Sequence, residues 1–401
     1  MEAPAGTRSQ LQYLHEELEK LRAQGLYQKL RVLAGEQLPV SVFDGKRVIN
    51  LSSNNYLGLT THRKLRKAAT AAIKSHGVGS GAVRTIAGTM DIHLALEEQI
   101  ARFKHTEAAV VFQSGFTANA GTVQAILGEN DLIVSDELNH ASIIDGGRLS
   151  KATRKIFRHK DLNHCEEILK ENHNWNGHKL LITDGVFSMD GDIADLPALC
   201  DLAEKYRCIM MVDDAHASGV LGRGGRGTVD HFNVHGRVDV QVGTLSKAVG
   251  SLGGYICGSR DLIEFLYHRG RPFLFSTSHP PSVTATCQAA FELLDSPDGE
   301  KLIKKLWNNT KFFKRRLKKL GFDTGVSQTP ITPIIVGDAT RAHEFSRQLF
   351  EEGVFAQSIG YPTVPEGKAR IRTIVTATHK RKELEEALTI LERVGRRLNI
   401  I

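Results

Sequence analysis

Val238-Asp-Val-Gln-Val-Gly-Thr-Leu-Ser-Lys247 is the stretch on which the fold turns. The valines of 238–242 read as a short strand, and Gly243-Thr-Leu-Ser-Lys247 reads as the loop that leaves it. Lys247 then stands just past a strand's carboxyl end, where open α/β sheets bind ligands. Cys208-Ile-Met-Met-Val212 repeats the pattern upstream and ends in Asp213-Asp214-Ala-His216. Three more β-branched runs do the same: Ala109-Val-Val-Phe112, Leu132-Ile-Val134 and Lys179-Leu-Leu-Ile-Thr183. Helical stretches such as 163–172 and 195–206 lie between them. Strands of four to six residues alternating with helices predict an α/β fold, its mostly parallel central sheet flanked by helices.

Outside this core the texture changes. Residues 9–33 carry Leu11, Leu14, Leu18 and Leu21 at helical spacing, which predicts an amphipathic N-terminal helix. Val40 to Leu51 alternates around Asp44-Gly45, a hairpin signal. After Pro297 a basic helix (299–320) leads to strand Pro333–Val336, helix 339–352, strand Ala369–Thr373 and a terminal helix from about 380. These pieces predict a smaller C-terminal α+β domain. The division expected is 1–58 for the N-terminal helix and small β segment, 59–290 for the large domain and 291–401 for the C-terminal domain.

Composition narrows the class. The 37 glycines in 401 residues fit a loop-rich α/β enzyme better than a helical bundle. A formal charge of +7 lacks any nucleic-acid recognition motif beside it and is read as solvated helix faces. Such a basic surface also suits a small polyanion such as a coenzyme A ester. The five cysteines (Cys165, Cys200, Cys208, Cys257, Cys287) show no C-x-x-C pair and no metal-ligand spacing, which predicts buried free thiols in a reducing compartment. No stretch approaches the ~20 apolar residues of a membrane span, so the expectation is a soluble cytoplasmic protein. Gly222-Arg-Gly-Gly-Arg-Gly227 formally matches the dinucleotide fingerprint, but lacks a clear helix and a later acidic partner, and reads as a solvated turn.

The strand-end motifs carry the chemistry. Taken alone, Lys247 reads equally as a loop lysine or as a Schiff-base anchor. Asp213 ends an apolar strand, where a carboxylate must be paired or serve a site. One such service is to pair with the pyridine nitrogen of pyridoxal 5'-phosphate (PLP), keeping the ring an electron sink; the alternative is a structural acid. His216 could bond a cofactor oxygen or cap a turn. Gln113-Ser114-Gly115-Phe116-Thr-Ala-Asn119 runs from strand into helix, an arrangement that binds phosphate. His140, in Asp136-Glu-Leu-Asn-His140-Ala-Ser142, could stack on a ring or be structural. Thr183-Asp-Gly-Val-Phe-Ser188-Met-Asp-Gly191 is the fifth such strand end.

Asn54-Asn55-Tyr56-Leu-Gly-Leu, Ser114-Gly115-Phe116, Asn139-His140-Ala-Ser142, Phe187-Ser188-Met-Asp-Gly191, Val212-Asp213-Asp214-Ala-His216, Thr244-Leu-Ser-Lys247 and Phe275-Ser-Thr277 form an ordered set. That set resembles the α-oxoamine synthase family, fold-type I PLP enzymes that condense an amino acid with an acyl-CoA thioester. The resemblance runs from about residue 10 to the end. It implies that Lys247 holds the cofactor as a Schiff base and acts as acid and base. It implies that Asp213 pairs with the pyridine nitrogen, that His140 stacks on the ring, and that His216 and Ser188 contact its phenolic-oxygen side. Ser114, Gly115, Phe116 and Thr244 are then expected to hold the phosphate, and Arg372 to bind the substrate carboxylate with Asn54 nearby. A homodimer with shared active sites is implied, Ser276 and Thr277 reaching the phosphate of the neighbouring subunit's cofactor.

Within the family, Val83-Arg84-Thr-Ile-Ala-Gly-Thr89, Asp145-Gly-Gly-Arg148, Arg271–Ser278 and Gly367-Lys-Ala-Arg-Ile-Arg372 look most similar to glycine C-acetyltransferase (2-amino-3-ketobutyrate CoA ligase). The expected reaction is therefore glycine with acetyl-CoA, giving 2-amino-3-ketobutyrate in threonine and glycine metabolism. The alternative is 8-amino-7-oxononanoate synthesis from L-alanine and a pimeloyl thioester in biotin synthesis, or one enzyme doing both. An aminotransferase, a cofactor-bearing pseudo-enzyme and a nucleic-acid-binding protein are the competing classes. The His140-Ala-Ser142 and Arg372 motifs disfavour the first of these, and intact Lys247 and Asp213 the second.

Overall fold

The computed structural model describes residues 9–23, 27, 29–361 and 363–401. Three sheets organise them. Near the N-terminus, β1 (Leu33–Ala34), β2 (Val40–Phe43) and β3 (Lys46–Asn50) form an antiparallel set. Asp44 and Gly45 both take positive φ between β2 and β3, the twist that a tight hairpin requires.

The central sheet holds β4 (Ala108–Phe112), β5 (Leu132–Asp136), β6 (Thr153–Phe157), β7 (Lys179–Asp184), β8 (Ile209–Asp213), β9 (Val240–Thr244) and β10 (Gly254–Gly258). Their order is β4-β10-β9-β8-β7-β5-β6. The pairs from β9 through β6 are parallel, and β10 runs against both β4 and β9. Six carboxyl ends therefore open on one edge. The strands β5, β7 and β9 are buried at every position, which is why they read as continuous apolar runs. β6 differs: Thr-Arg-Lys-Ile lie exposed on the sheet's edge, so charge hides this strand from a hydrophobicity reading. The strand expected at 238–242 lies two residues later, at Val240–Thr244, and extends past 242 because Gly243 and Thr244 pair with Tyr255 and Gly254 of β10.

The third sheet contains β11 (Ile331–Gly337), β13 (Gln357–Ile359) and β14 (Ala369–Ile374), while β12 (Val354–Phe355) pairs in parallel with β3. The N-terminal hairpin and the C-terminal residues thus share one sheet. They also share a core, in which Ile49 and Leu51 pack with Phe345, Leu349, Ile371 and Leu388.

The N-terminal helix spans Tyr13–Ala23, shorter than the expected 9–33. Residues 24–26 and 28 of that expectation lie outside the described residues. Its face buries nothing: Leu11, Leu14, Leu18 and Leu21 are 38–52% exposed. The glycine-rich 222–227 segment is a 3-10 turn followed by the one-turn helix Thr228–His231; Arg223 is exposed, while Gly225 and Gly227 are buried. A Cβ on Gly227 would stand 2.0 Å from Asp214 Oδ2, so close packing over that carboxylate accounts for the glycine. Four cysteines are buried and free, while Cys208 is half-buried. No helix among the described residues is long and apolar enough to cross a membrane.

Candidate active site

A cavity of about 200 Å³ lies where the carboxyl ends of β4, β5, β7, β8 and β9 converge. The β4 end supplies Ser114, Gly115 and Phe116, the β5 end His140 and Ser142, and the β7 end Asp184 and Ser188. From β8 come Asp213, Ala215 and His216, and from β9 come Thr244, Ser246 and Lys247. Nine of the expected site residues meet here.

One end of the cavity is a helix N-terminus. Ser114 caps helix Gly115–Ile126, accepting from Thr117 N at 3.0 Å, and Thr117 Oγ1 accepts from Ser114 N at 2.9 Å. This reciprocal cap consumes the Thr117 amide. Among the described residues the Gly115 and Phe116 amides have no protein acceptor, so they are free for an anion.

The buried floor is a chain of polar groups. Asp213 Oδ1 accepts from Ala215 N at 2.8 Å, and Asp213 Oδ2 accepts from Asn119 Nδ2 at 2.6 Å. Asn119 also donates to Ser142 Oγ at 2.9 Å, and that hydroxyl lies 2.7 Å from His140 Nδ1. Asn119 Oδ1 is buried without a partner. Beside this chain, Asp184 Oδ2 accepts from the His140 amide at 2.8 Å. Burial, and then the charge of Asp213, raise the Asp184 carboxyl well above the usual carboxylate range.

The basic groups are shifted toward neutrality. Burial pulls the Lys247 amine down to about 8, against the attraction of Asp213 and Asp184. Burial also lowers His140, with Asp213 opposing and Lys247 assisting. His216 is held well below its ordinary value by burial and by the cations Lys247 and Arg372. Its Nδ1 lies 2.7 Å from the phenol of Tyr56, which burial keeps protonated. With its own proton in place the phenol is a donor for Nδ1, the arrangement that leaves the imidazole proton on Nε2.

Arg372 on β14 reaches the site from the third sheet. Its Nε donates to Ser188 O at 2.6 Å, and both terminal nitrogens share Asn54 Oδ1 at 3.3 Å. Two guanidinium N–H groups on one distant oxygen leave that fork under-used. Ser276 and Thr277 do not line this cavity; Thr277 is exposed, bridges to Val83 and accepts from Gln113 Nε2 at 2.9 Å. Sequence reasoning assigned no role to Tyr56, Asn119, Ser142 or Asp184. The signal was present, because all four lie inside quoted motifs, but the contacts between those motifs are tertiary.

A buried lysine amine, a buried carboxylate at the end of β8 and free amides at a helix N-terminus are the donor set that PLP asks for: an amine for its aldehyde, an anion for its ring nitrogen and N–H groups for its phosphate. The residues fit the cofactor.

The chain belongs to the class I and II aminotransferase family, whose model matches residues 46–391, and it has the fold-type I architecture of PLP-dependent enzymes. Within that class it is an α-oxoamine synthase, a PLP-dependent acyl-transferring enzyme. It is 60% identical to 8-amino-7-oxononanoate synthase of Thermoanaerobacter pseudethanolicus over 391 residues, covering 98% of each chain. It is 58% identical to the enzyme of that name from Symbiobacterium thermophilum, covering 97% of this chain and 99% of the other. Serine palmitoyltransferase from S. paucimobilis, solved with bound PLP and myriocin, superposes with a TM-score of 0.92 at 29% identity, covering 99% of this chain and all of that one.

These relatives correct the expected glycine C-acetyltransferase assignment. The motifs behind it, Val83–Thr89, Asp145–Arg148, Arg271–Ser278 and Gly367–Arg372, supply none of the residues that line the cavity.

Proposed function

We propose that this enzyme makes 8-amino-7-oxononanoate from L-alanine and a pimeloyl thioester, for biotin synthesis. The observation that carries the reading is the name shared by relatives 60% and 58% identical over nearly the whole chain. The product's structure supplies the substrates. Its nine-carbon chain has an acid at one end, a ketone at carbon 7 and an amine at carbon 8. Carbons 1–7 correspond to a seven-carbon diacid joined through one carboxyl as a thioester. Carbons 8 and 9 are the Cα and methyl of alanine, whose carboxyl leaves as CO2. Alanine and thioester therefore give amino-ketone, CO2 and free thiol.

Pyridoxal phosphate supplies, when bound, an electron sink for the negative charge left on the amino acid's Cα. Everything else falls to the side chains. Lys247 anchors the cofactor, and its amine, pulled to about 8, takes the Cα proton of alanine as general base. Asp213 would pair with the cofactor's ring nitrogen and keep it protonated, its carboxylate aimed by Asn119. Gly115 and Phe116 would hold the phosphate with their amides, assisted by Ser114 and Thr244. His140 would cover the ring and donate to the oxyanion that grows on the thioester carbonyl. His216, with its proton on Nε2, and Ser188 would bind the phenolic oxygen. Arg372 exchanges its long contacts with Asn54 for a bidentate grip on the alanine carboxylate.

The same proposal makes the protein a homodimer. Supporting it, Ser276 and Thr277 lie outside this chain's own cavity, beside the exposed apolar residues Ile86 and Phe275. They contribute to the phosphate site of the neighbouring subunit. The test of the function is genetic. The gene should restore growth without biotin to a bacterium lacking its 8-amino-7-oxononanoate synthase, and the Lys247→Ala variant should not. Failure of the wild-type gene, with the protein expressed and cofactor-loaded, would count against the assignment.

A further inference from the structure

Beside the cavity, His159 closes a charged bridge that the roles above leave unused. It follows β6, and its ring lies between two buried carboxylates. Nδ1 is 2.9 Å from Asp136 Oδ1, and Nε2 is 3.0 Å from Asp192 Oδ2. Both carboxylate side chains are 1% exposed. A neutral imidazole has one N–H and would turn a lone pair toward one of these carboxylates; the imidazolium donates to both. The next residue reinforces the bridge. Lys160 takes a left-handed φ of 55°, donates its amide to Asp136 Oδ2 at 2.9 Å and places Nζ 3.1 Å from Asp192 Oδ2. Left-handed backbone costs a non-glycine residue about 1–2 kcal/mol, so these contacts are what hold it there.

The two carboxylates belong to different walls of the cavity. Asp136 ends β5, four residues before His140, and its Oδ1 also accepts from Leu138 N at 2.9 Å. Asp192 closes the turn that carries Ser188: its carbonyl accepts from Phe187 N at 3.0 Å. Ser188 O in turn accepts from Arg372 Nε. The His159 ring also packs edge-on against Phe187, with centroids 4.4 Å apart.

We propose that His159 is a positioning residue, whose imidazolium ties the His140 wall to the Ser188–Arg372 wall and so sets the gap in which the amino acid binds. The proposal rests on the reading of this cavity as the amino-acid site. The charged groups facing His159 are Asp136 and Glu137 from the β5 loop, Asp192 from the Ser188 turn, and Lys160 from its own loop. Asp195 lines a small void with Asp136 and Lys160. Burial opposes the charge, but the hydrogen bonds that the ring donates to Asp136 and Asp192, with the charges of both, outweigh it and raise the imidazole to about 9. The bridge is therefore complete below about 9 and is lost as pH rises through that value.

The test uses cofactor-loaded wild type, His159→Gln and His159→Arg, titrated with L-alanine while the cofactor's visible absorbance is followed. Near neutral pH, His159→Gln should bind alanine at least ~10-fold more weakly, as expected when a wall of the site is misplaced. His159→Arg keeps a permanent cation and should bind more tightly than His159→Gln. The wild-type advantage over His159→Gln should shrink as pH rises through about 9. Wild-type alanine affinity in a folded His159→Gln overturns the proposal. If His159→Gln does not fold, His159→Arg decides: a ratio to wild type that stays constant across pH 9 overturns it. No thioester enters the titration, so an error in the acyl group leaves the readout intact. Lack of any alanine-dependent change in wild type would instead refute the site reading itself.

Discussion

Tyr56 Oη lies 2.7 Å from His216 Nδ1 across 160 residues of sequence. The phenol fixes the tautomer of a buried, neutral imidazole and so aims Nε2–H at the cavity. Tyr56→Phe removes that constraint without removing the ring. Turnover should fall by a few-fold to about tenfold, the worth of one hydrogen bond, while bound cofactor stays near wild type. Steady-state kinetics beside the visible spectrum check this; unchanged turnover would mean that His216 needs no partner.

The lowered lysine gives a pH prediction. An amine at about 8 is charged below that value and free base above it. Apoenzyme should therefore take up the cofactor faster as pH rises, levelling above about 8. Stopped-flow reconstitution against pH reads this directly. A rate still climbing toward 10.5 would show an unperturbed amine.

Arg372→Ala separates the two substrates. Loss of a charge-assisted hydrogen-bond pair costs about 1.5–3 kcal/mol, so the KM for alanine should rise ~10–100-fold. The KM for the thioester should change far less. Equal rises in both would assign Arg372 to the coenzyme end.

Lys104 and Asp214 form a fully buried pair 2.8 Å apart behind the site, both side chains 0% exposed. Lys104 also donates to Arg226 O at 2.6 Å. Lys104→Ala leaves an uncompensated carboxylate and should cost about 3–5 kcal/mol in urea unfolding. A loss below ~1 kcal/mol would mean that the hydrogen bonds from Thr228 N and Oγ1 hold the carboxylate without the lysine.

The strands that end in Asp213 and near Lys247 were legible because full burial writes them as apolar runs broken by one charged residue. Edge strand β6, with its exposed Arg154 and Lys155, carries no such signal. The N-terminal leucines were legible as a helix, but not its length. Site residues embedded in strand-end motifs could be found one by one. Their partners could not, because Tyr56–His216, Asn119–Asp213 and His159–Asp192 are contacts between distant segments that only the folded sheet creates. The acyl substrate was misread because the motifs behind that expectation, Val83–Thr89, Asp145–Arg148, Arg271–Ser278 and Gly367–Arg372, supply none of the residues that line the cavity.

The most direct measurement offers purified, cofactor-loaded enzyme two substrate pairs in parallel, L-alanine with pimeloyl-CoA and glycine with acetyl-CoA. Free thiol and product mass are followed. The account predicts thiol release with the first pair, a product of the mass of 8-amino-7-oxononanoate and one CO2 per thiol, with the second pair slower by at least an order of magnitude. Faster release with glycine and acetyl-CoA, or an alanine product that keeps its carboxyl, would contradict it.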